Sequence, residues 1–277
     1  MIIQTNKQGK ETFYLNNVRI IEKKALGNVL LCDLETCNDE KTLFDFSYRV
    51  VDTNEKKVIE RGSFILNESW LTKKVINGCY SKNKKKHYKK MLDNGIYKGI
   101  TREELNNLIN TLVNDYNIKV FSAYNGKFDL ESLYKTLNIA NKRTKLFKTS
   151  VLDKNSKLLH LHLLDIGTAL HIYYETDDFK NWYDKEIKER TKNGLRRVTC
   201  EIMTQYLLKD NFFIEEHTGQ RDLDVEYQLL MAVLGREDVT TIALNLPMLW
   251  GANRLATKML NEDTITYQAL YNGIVKR

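Results

Sequence analysis

The stretch NVLLCDLET, residues 28–36, places two acidic side chains in a sequence that otherwise favours a buried strand. Side chains alternate between the two faces of a strand, so Asp33 and Glu35 point to the same side as Val29 and Leu31. Burying a carboxylate is costly unless a counter-charge or a donor pairs with it. The strand therefore ends either in solvent or at a site where both acids meet a cation.

Segments that favour strands come first in the chain and then alternate with segments that favour helices. Two alternating runs around DTNEKK predict a hairpin over residues 44–66. Thr101 and Glu104 have capping-box spacing at the start of a helix with an apolar stripe. This order predicts an α/β protein with a mixed β-sheet flanked by helices.

No linker rich in Gly or Pro divides the 277 residues, so we expect a single domain. Three segments lie outside the part of this domain in which strands and helices alternate. They are an N-terminal extension, a basic helical insertion and a C-terminal helical tail, at residues 1–27, 67–118 and 236–277.

Two further segments carry acids that face inward. Asp129 follows the strand KVFSAY and the turn Asn125-Gly126, in the first turn of a helix, where the helix dipole favours a carboxylate. Asp222 opens a later helix and is flanked on its face by apolar positions, so it needs a counter-charge. His217 stands five residues before it on a loop.

Three motifs in this order, CDLET, AYNGKFDLESL and HTGQRD, resemble those of the DEDDh group of 3′–5′ exonucleases, the DnaQ-like family with a ribonuclease H-like fold. The similarity is greatest to bacteriophage-encoded members. The resemblance implies that Asp33, Glu35, Asp129 and Asp222 are metal ligands and that His217 is the general base. The sequence departs from the family in two places, the residues Thr-Gly-Gln-Arg after His217 and the long insertion. Residues outside 28–235 receive no support from the resemblance.

The resemblance also implies an activity. Hard oxygen ligands select Mg²⁺ or Mn²⁺, and two such ions would assist hydrolysis of phosphodiester bonds to 5′-mononucleotides. The expected partner is nucleic acid with a free 3′ end, with single-stranded DNA favoured. Two alternatives stay open: an RNase or oligoribonuclease of the same fold, and a catalytically inactive nucleic-acid-binding module.

Other residues compete for these roles. A related subgroup uses Tyr-x3-Asp in place of the His motif, and Tyr206 and Asp210 have that spacing. His160, His162 and His171 raise the alternative of zinc, although no Cys or acid stands at ligand spacing beside them. Asp165, at a strand end, is either a further site acid or a structural residue that holds a ligand or loop in place.

The run SKNKKKHYKK, residues 81–90, is either an ordinary solvated surface or a contact surface for the backbone of a polyanion. The net charge of +7 agrees with a polyanionic partner. The aromatic side chains of the run would allow base stacking on a single strand. The substrate-binding candidates are Lys84, Lys85, Lys86 and Tyr88, together with Asn125.

Composition restricts the setting of the protein. No run of 18 apolar residues predicts a membrane span, and the N-terminus lacks a signal-peptide pattern. The four cysteines form no CxxC pair and are expected to be reduced. A cytoplasmic location is expected, in the host cytoplasm if a phage encodes the protein.

Overall fold

The computed structural model describes residues 2–5, 11–14, 19–37, 42–70, 84–138, 157–174, 176–192, 194, 196–215 and 217–245. Its strands, in chain order, are β1 (Ile2–Thr5), β2 (Glu11–Tyr14), β3 (Arg19–Glu22), β4 (Asn28–Cys37), β5 (Thr42–Asp52), β6 (Lys57–Leu66), β7 (Lys98–Ile100), β8 (Val120–Ala123), β9 (His162–Asp165) and β10 (Thr241–Leu244).

The α-helices lie mostly in the second half of the described chain. They are α1 (Asn67–Trp70), α2 (Lys84–Asp93), α3 (Arg102–Asp115), α4 (Gly126–Asn138), α5 (Ile166–Ala169), α6 (His171–Tyr174), α7 (Asp177–Glu186), α8 (Cys200–Leu208) and α9 (Gly219–Gly235). Short 3₁₀ helices occupy Lys23–Ala25 and Lys157–His160.

A mixed sheet of six strands forms the centre of the protein, in the order β7-β6-β5-β4-β8-β9. The β4–β5 and β5–β6 pairs are antiparallel, and the remaining pairs are parallel. The predicted hairpin is the β5–β6 pair, whose turn covers residues 53–56. The predicted fold class, an α/β protein with a mixed sheet flanked by helices, is confirmed.

Helix α3 shows how local sequence starts an element of this fold. The Thr101 hydroxyl accepts a hydrogen bond from the Glu104 backbone N–H at 3.2 Å, and the Glu104 carboxylate accepts one from the Thr101 N–H at 2.7 Å. This capping box satisfies two N–H groups that the helix itself leaves unpaired. Leu105, Ile109 and Leu112 form the buried stripe of the same helix.

Each face of the sheet carries its own apolar core. Alternation along β4 sends Val29 and Leu31 to the face covered by α8 and α9, and Leu30 to the face covered by α3 and α4. A fully buried Leu stabilises the fold by about 1.5–3 kcal/mol relative to an exposed one. Side chains of β4 therefore reach both cores, which explains why the strand is almost continuously apolar until Asp33.

Two strands from distant parts of the chain pair with each other beside the six-stranded sheet. β3, in the N-terminal extension, pairs antiparallel with β10, and Asn245 contacts β9 because its N–H donates to the Leu163 carbonyl at 2.7 Å. The prediction of a helical tail is therefore wrong for residues 241–244, which are held as a strand by β3. The helix expected around LPMLWGANRLATKML lies outside the described residues.

Two observations concern the chemical setting of the fold. Within the described ranges, no helix is both long and apolar enough to span a membrane. Cys32 and Cys200 are buried and free, and burial raises the pKa of both thiols well above the usual value.

Candidate active site

The first two candidate acids lie near the end of the central strand. Glu35 pairs with Asp45 of β5, and the register shifts directly after Glu35, as at a β-bulge. Asp33 is half-buried, but its Oδ2 atom is shielded from solvent. Both acids lie on the side of β4 that faces α9, because Asp33 interacts with Asp222 there and Glu35 lies close to Asp222.

The third acid reaches the same end of the sheet by way of the neighbouring strand. β8 runs parallel to β4, and the turn at Tyr124 and Asn125 leads directly into α4, which carries Asp129 in its first turn. Asp129 is buried, and the backbone of Leu34 donates a hydrogen bond to it. The carboxylate of Asp129 therefore lies against the β4 segment that carries the first two acids.

Asp165 supports the turn that carries Asp129. Its Oδ2 accepts a hydrogen bond from the Gly126 N–H at 3.1 Å, and its Oδ1 caps α5 by accepting one from the Thr168 N–H at 2.8 Å. Asp165 is buried at the end of β9. These contacts agree with the structural role considered for Asp165 and not with a free ligand.

The last two candidates lie at the start of α9. Asp222 is buried in the first turn, whereas His217 is exposed on the preceding loop and has a left-handed backbone, with φ of 54°. One ligand atom from each of Glu35, His217 and Asp222 lies within 4.8 Å of the others. Among the described residues, this is the one group of three or more His, Cys, Asp or Glu side chains whose ligand atoms lie that close together. Asp33 and Asp129 border this group but are not within it.

The electrostatics of the site are those of acids that need a cation. Burial raises the pKa of Asp33 well above its usual value, and the nearby carboxylates, with Glu226 the strongest, raise it further. Burial and the charge of Asp165 raise the pKa of Asp129 in the same way, although backbone hydrogen bonds oppose the shift. Holding several carboxylates together in their charged form is therefore unfavourable without a cation.

Glu226 is a site acid that sequence reasoning missed. It lies one helical turn after Asp222 on α9, is 4% exposed, and accepts a hydrogen bond from the Tyr124 N–H at 3.1 Å through Oε1. Burial and the charge of Asp129 raise its pKa well above the usual value. The spacing of four residues from Asp222 was the available signal, because residues at i and i+4 share one face of a helix.

The residues present fit a divalent cation. The Oδ2 atom of Asp33 and the Oε2 atom of Glu226 are buried without a hydrogen-bond partner among the described residues. Buried polar atoms in folded proteins nearly always have a partner, and oxygen donors are the ligands that Mg²⁺ and Mn²⁺ prefer. A divalent cation between these elements would supply both carboxylate oxygens with a partner.

The alternative base, Tyr206, lies elsewhere. It is buried on α8, its hydroxyl donates to Asp178 Oδ2 at 2.5 Å, and its ring packs edge-on against Phe179 with centroids 5.0 Å apart. Asp210 is exposed and its carboxylate accepts a hydrogen bond from the Phe212 N–H. Tyr206 therefore joins α8 to α7, and the Tyr-x3-Asp spacing is explained by packing.

The histidines considered for zinc do not come together as ligands. His162 interacts with Arg19 and with Asn245 at 3.0 and 3.1 Å, and His171 is buried against the ring of Tyr174. His160 is exposed. In the part of the chain that the structure describes, none of the three belongs to a group of potential metal ligands.

The candidate substrate residues behave differently from one another. Lys86 is exposed on α2, and Asn125 is half-buried in the turn before α4. Lys84 and Lys85 start α2, but their side chains lie outside the described residues. The prediction for Tyr88 is wrong as to its surroundings: its ring is fully buried against Phe44, Trp70 and Tyr97, so no base can stack on it in this conformation.

No family model matches the chain, and no curated protein matches it. Similar solved structures include a 3′-exonuclease studied for 3′-end specific recognition of a histone mRNA stem-loop, 10% identical with a TM-score of 0.48 over 78% of this chain and 84% of that chain. The nuclease domain of 3′hExo, a DEDDh family member bound to rAMP, is 12% identical with a TM-score of 0.48 over 81% and 98%.

Exonuclease I in its apo form is a third such structure, 17% identical with a TM-score of 0.47 over 76% of this chain and 43% of that chain. The similar structures are thus 3′-exonucleases and an exonuclease I. Because the identities are low and the TM-scores lie below 0.5, we infer the chemistry of the site from the side chains of this chain alone.

Proposed function

We propose that this chain is a metal-dependent 3′–5′ exonuclease of the DEDDh family that hydrolyses nucleic acid to 5′-mononucleotides. One observation carries the proposal: Glu35, His217 and Asp222 place ligand atoms within 4.8 Å of one another. Beside them lie the half-buried Asp33 and the buried Asp129, whose pKa values are raised by burial and by neighbouring charges. A buried acidic site with an exposed imidazole at its edge suits metal-assisted hydrolysis.

The four acids Asp33, Glu35, Asp129 and Asp222 would hold the cations. Glu226 lies next to them, buried on α9. Two Mg²⁺ or Mn²⁺ ions bound there would stabilise the charge that develops on the phosphoryl oxygens during cleavage. The acids themselves come from a strand, a helix start and a second helix start, all anchored in the two cores. Such anchoring keeps the ligand oxygens in place before substrate arrives.

His217 would act as the general base. Its side chain is 56% exposed, so the imidazole is open to a water molecule that attacks the phosphate. A neutral imidazole nitrogen can accept a proton, which suits it to the role of a general base. The carboxylate of Glu215 lies 3.9 Å from Nδ1 of His217 and would stabilise the imidazolium that forms.

The substrate proposed is single-stranded DNA with a free 3′ end. Lys84, Lys85 and Lys86 at the start of α2 would contact phosphates, and Asn125 would contact the terminal nucleotide beside Asp129. A bacteriophage origin stays a prediction from the sequence.

A digestion panel tests this function. Single- and double-stranded DNA and RNA, labelled at either the 5′ or the 3′ end, are incubated with the protein in EDTA, in Mg²⁺ and in Mn²⁺. We expect no hydrolysis in EDTA, because the acids then lack their cation, and rapid release of the 3′ label as a mononucleotide in either metal. The 5′ label should remain on a ladder of shortened products.

Each other outcome of the panel has a definite meaning. Full activity in EDTA would contradict the metal-dependent mechanism, and early release of the 5′ label would contradict the polarity. Faster digestion of RNA than of DNA would favour the RNase alternative. Tight binding of oligonucleotides without hydrolysis in any metal would favour the inactive binding module.

The lysines of the basic run give a second prediction. Replacing Lys84, Lys85, Lys86, Lys89 and Lys90 by Gln should raise KM for single-stranded DNA and flatten its dependence on salt. For single strands, log K falls with log salt by about 0.7 for each phosphate contact, so each lost contact removes about that much from the slope. Turnover at saturating substrate should change little, because these lysines bind and do not react.

The matched control removes the same charge from other surfaces. Five exposed lysines outside the basic run serve this purpose: Lys56, Lys57, Lys119, Lys157 and Lys188. Their replacement by Gln should leave the salt slope near the native value. Equal slopes for the two variants would show that the basic run is an ordinary solvated surface.

A further inference from the structure

The buried carboxylate of Asp45 lies close to the candidate active site but is not part of it. Asp45 of β5 is 0% exposed and accepts hydrogen bonds from the hydroxyls of Tyr88 and Tyr97 at 2.6 and 2.9 Å. It also accepts one from the Ser47 hydroxyl at 3.2 Å and one from the Gly219 N–H at 3.1 Å. We refer to these five residues as the Asp45 cluster.

The Asp45 cluster connects the insertion to the helix that carries Asp222. Gly219 is the first residue of α9, and the N–H of the next residue, Gln220, donates to the Tyr97 hydroxyl at 3.0 Å. The first N–H groups of a helix have no partner within the helix, so these two bonds satisfy donors that would otherwise be orphaned. Two tyrosines of the insertion thereby help to fix where α9 begins.

The fit around Gly219 is close. A Cβ atom at this position would lie 2.9 Å from both Asp45 Oδ1 and Ser47 Oγ, which is shorter than real contacts allow. Glycine permits this approach because it has no side chain. His217, two residues earlier, has a left-handed backbone with φ of 54°, which is uncommon for a residue other than glycine.

The tyrosines are themselves held by the insertion. The Tyr88 ring packs edge-on against Phe44, Trp70 and Tyr97, with centroids 5.5 Å apart in each pair. Lys86, Lys89 and Lys90 of the same helix are exposed. Helix α2 therefore buries one tyrosine in the Asp45 cluster and presents its lysines to solvent.

We propose that the insertion braces the candidate active site: Tyr97 is a positioning residue that, with Asp45, holds the start of α9 and so keeps His217 and Asp222 beside Glu35. The predicted effect of Tyr97 on kcat rests on the proposed function, whereas its predicted effect on the start of α9 does not. Tyr97 touches no reacting atom in this arrangement and acts through the backbone of Gly219 and Gln220.

The test removes one hydroxyl at a time. Tyr97→Phe deletes the bonds to Asp45 and Gln220 but keeps the buried ring. Tyr134→Phe is the matched control, because Tyr134 is equally buried and its hydroxyl donates to the Leu158 carbonyl at 3.1 Å outside the cluster. The first readout is hydrogen exchange of the backbone amides, followed by mass spectrometry. Exchange over residues 217–222 should become at least tenfold faster in Tyr97→Phe and stay unchanged in Tyr134→Phe.

The second readout is kinetic and uses a double-mutant cycle with His217→Ala. Tyr97→Phe should lower kcat about tenfold or more with little change in KM. The loss should be smaller when His217 is already Ala, because the part that acts through His217 is then gone and only the part that acts through Asp222 remains. Asp45→Asn should retain most of the native kcat, because an amide can still accept from Tyr97 and Gly219 while donating to Ser47.

The outcomes separate this inference from the proposed function. A native protein without nuclease activity would contradict the function, but the exchange experiment would still decide the brace. An active native protein in which Tyr97→Phe changes neither exchange at residues 217–222 nor kcat would overturn the brace alone. Additive losses in the cycle would show that Tyr97 acts independently of His217 and would also overturn it.

Discussion

Asp33→Asn is expected to abolish hydrolysis while leaving the metal-free protein at least as stable as the native one. The substitution removes one charge from a group of mutually repelling carboxylates, so the metal-free melting temperature should hold or rise. Residues that only support a metal ligand are worth about 10–100-fold in metal affinity, so loss of a ligand should cost more than that. Titration calorimetry with Mn²⁺, thermal melts in EDTA and initial rates in Mg²⁺ measure the three effects.

The free energy of unfolding of the metal-free protein should also depend on pH, and the raised pKa values determine the direction. Burial and like charges raise the pKa values of Asp33, Asp129 and Glu226 above those of the unfolded chain. Their contribution to stability is therefore fully present below about pH 4 and is lost as pH rises through the folded-state pKa values. In EDTA, the unfolding free energy should fall as pH rises from about 4 towards neutrality, and more gently in Asp33→Asn.

Saturating Mg²⁺ should reverse this decline, because a ligand that binds only the folded state stabilises it. Asp115→Asn, which removes an exposed carboxylate from α3, is the control and should leave the pH dependence unchanged. A melting temperature of Asp33→Asn well below the native value in EDTA would indicate that Asp33 has a structural role and that the acidic site is not strained.

His217→Ala is expected to lower kcat by about 10²–10⁴-fold, the usual contribution of a general base. Affinity for Mn²⁺ should survive, because the acids of the site remain. The loss should appear in kcat and not in KM, because the imidazole takes part in the chemical step and not in substrate binding. Initial rates over a range of substrate concentrations, at saturating metal, provide the measurement.

Tyr206→Phe is the matched comparison for His217→Ala. Its hydroxyl donates to Asp178 at the α7–α8 contact, so its removal should alter stability and leave kcat within a few-fold of the native value. If Tyr206→Phe were the crippling change and His217→Ala the mild one, the chain would belong to the Tyr subgroup, and the acidic site could still bind metal.

Local patterns in the sequence predicted the elements that depend on neighbouring residues. The hairpin of β5 and β6 follows from alternation and a short turn, and the start of α3 follows from the capping box at Thr101. In both cases the stabilising contacts join residues that are close along the chain, so the pattern contains the cause. The α/β class followed from the order of such elements.

Elements held by distant partners were not predictable in this way. The strand at residues 241–244 exists because β3, near the other end of the described chain, supplies its hydrogen bonds. Tyr88 stands in a run of lysines that favours an exposed surface, yet Asp45 and three aromatic rings bury it. Periodicity reports the residues next to a side chain in sequence, not those that fold against it.

The candidate site divides along the same line. The motifs predicted the chemical groups: acids at a strand end and at two helix starts, and a histidine on the loop before the second helix. Their positions in space follow from the folded chain, in which ligand atoms of Glu35, His217 and Asp222 lie within 4.8 Å of one another and Glu226 interacts with the same acids. The packing of α9 on β4 creates that proximity, and the parallel pairing of β4 with β8 brings Asp129 to the same end of the sheet. Both are contacts between segments far apart in the chain.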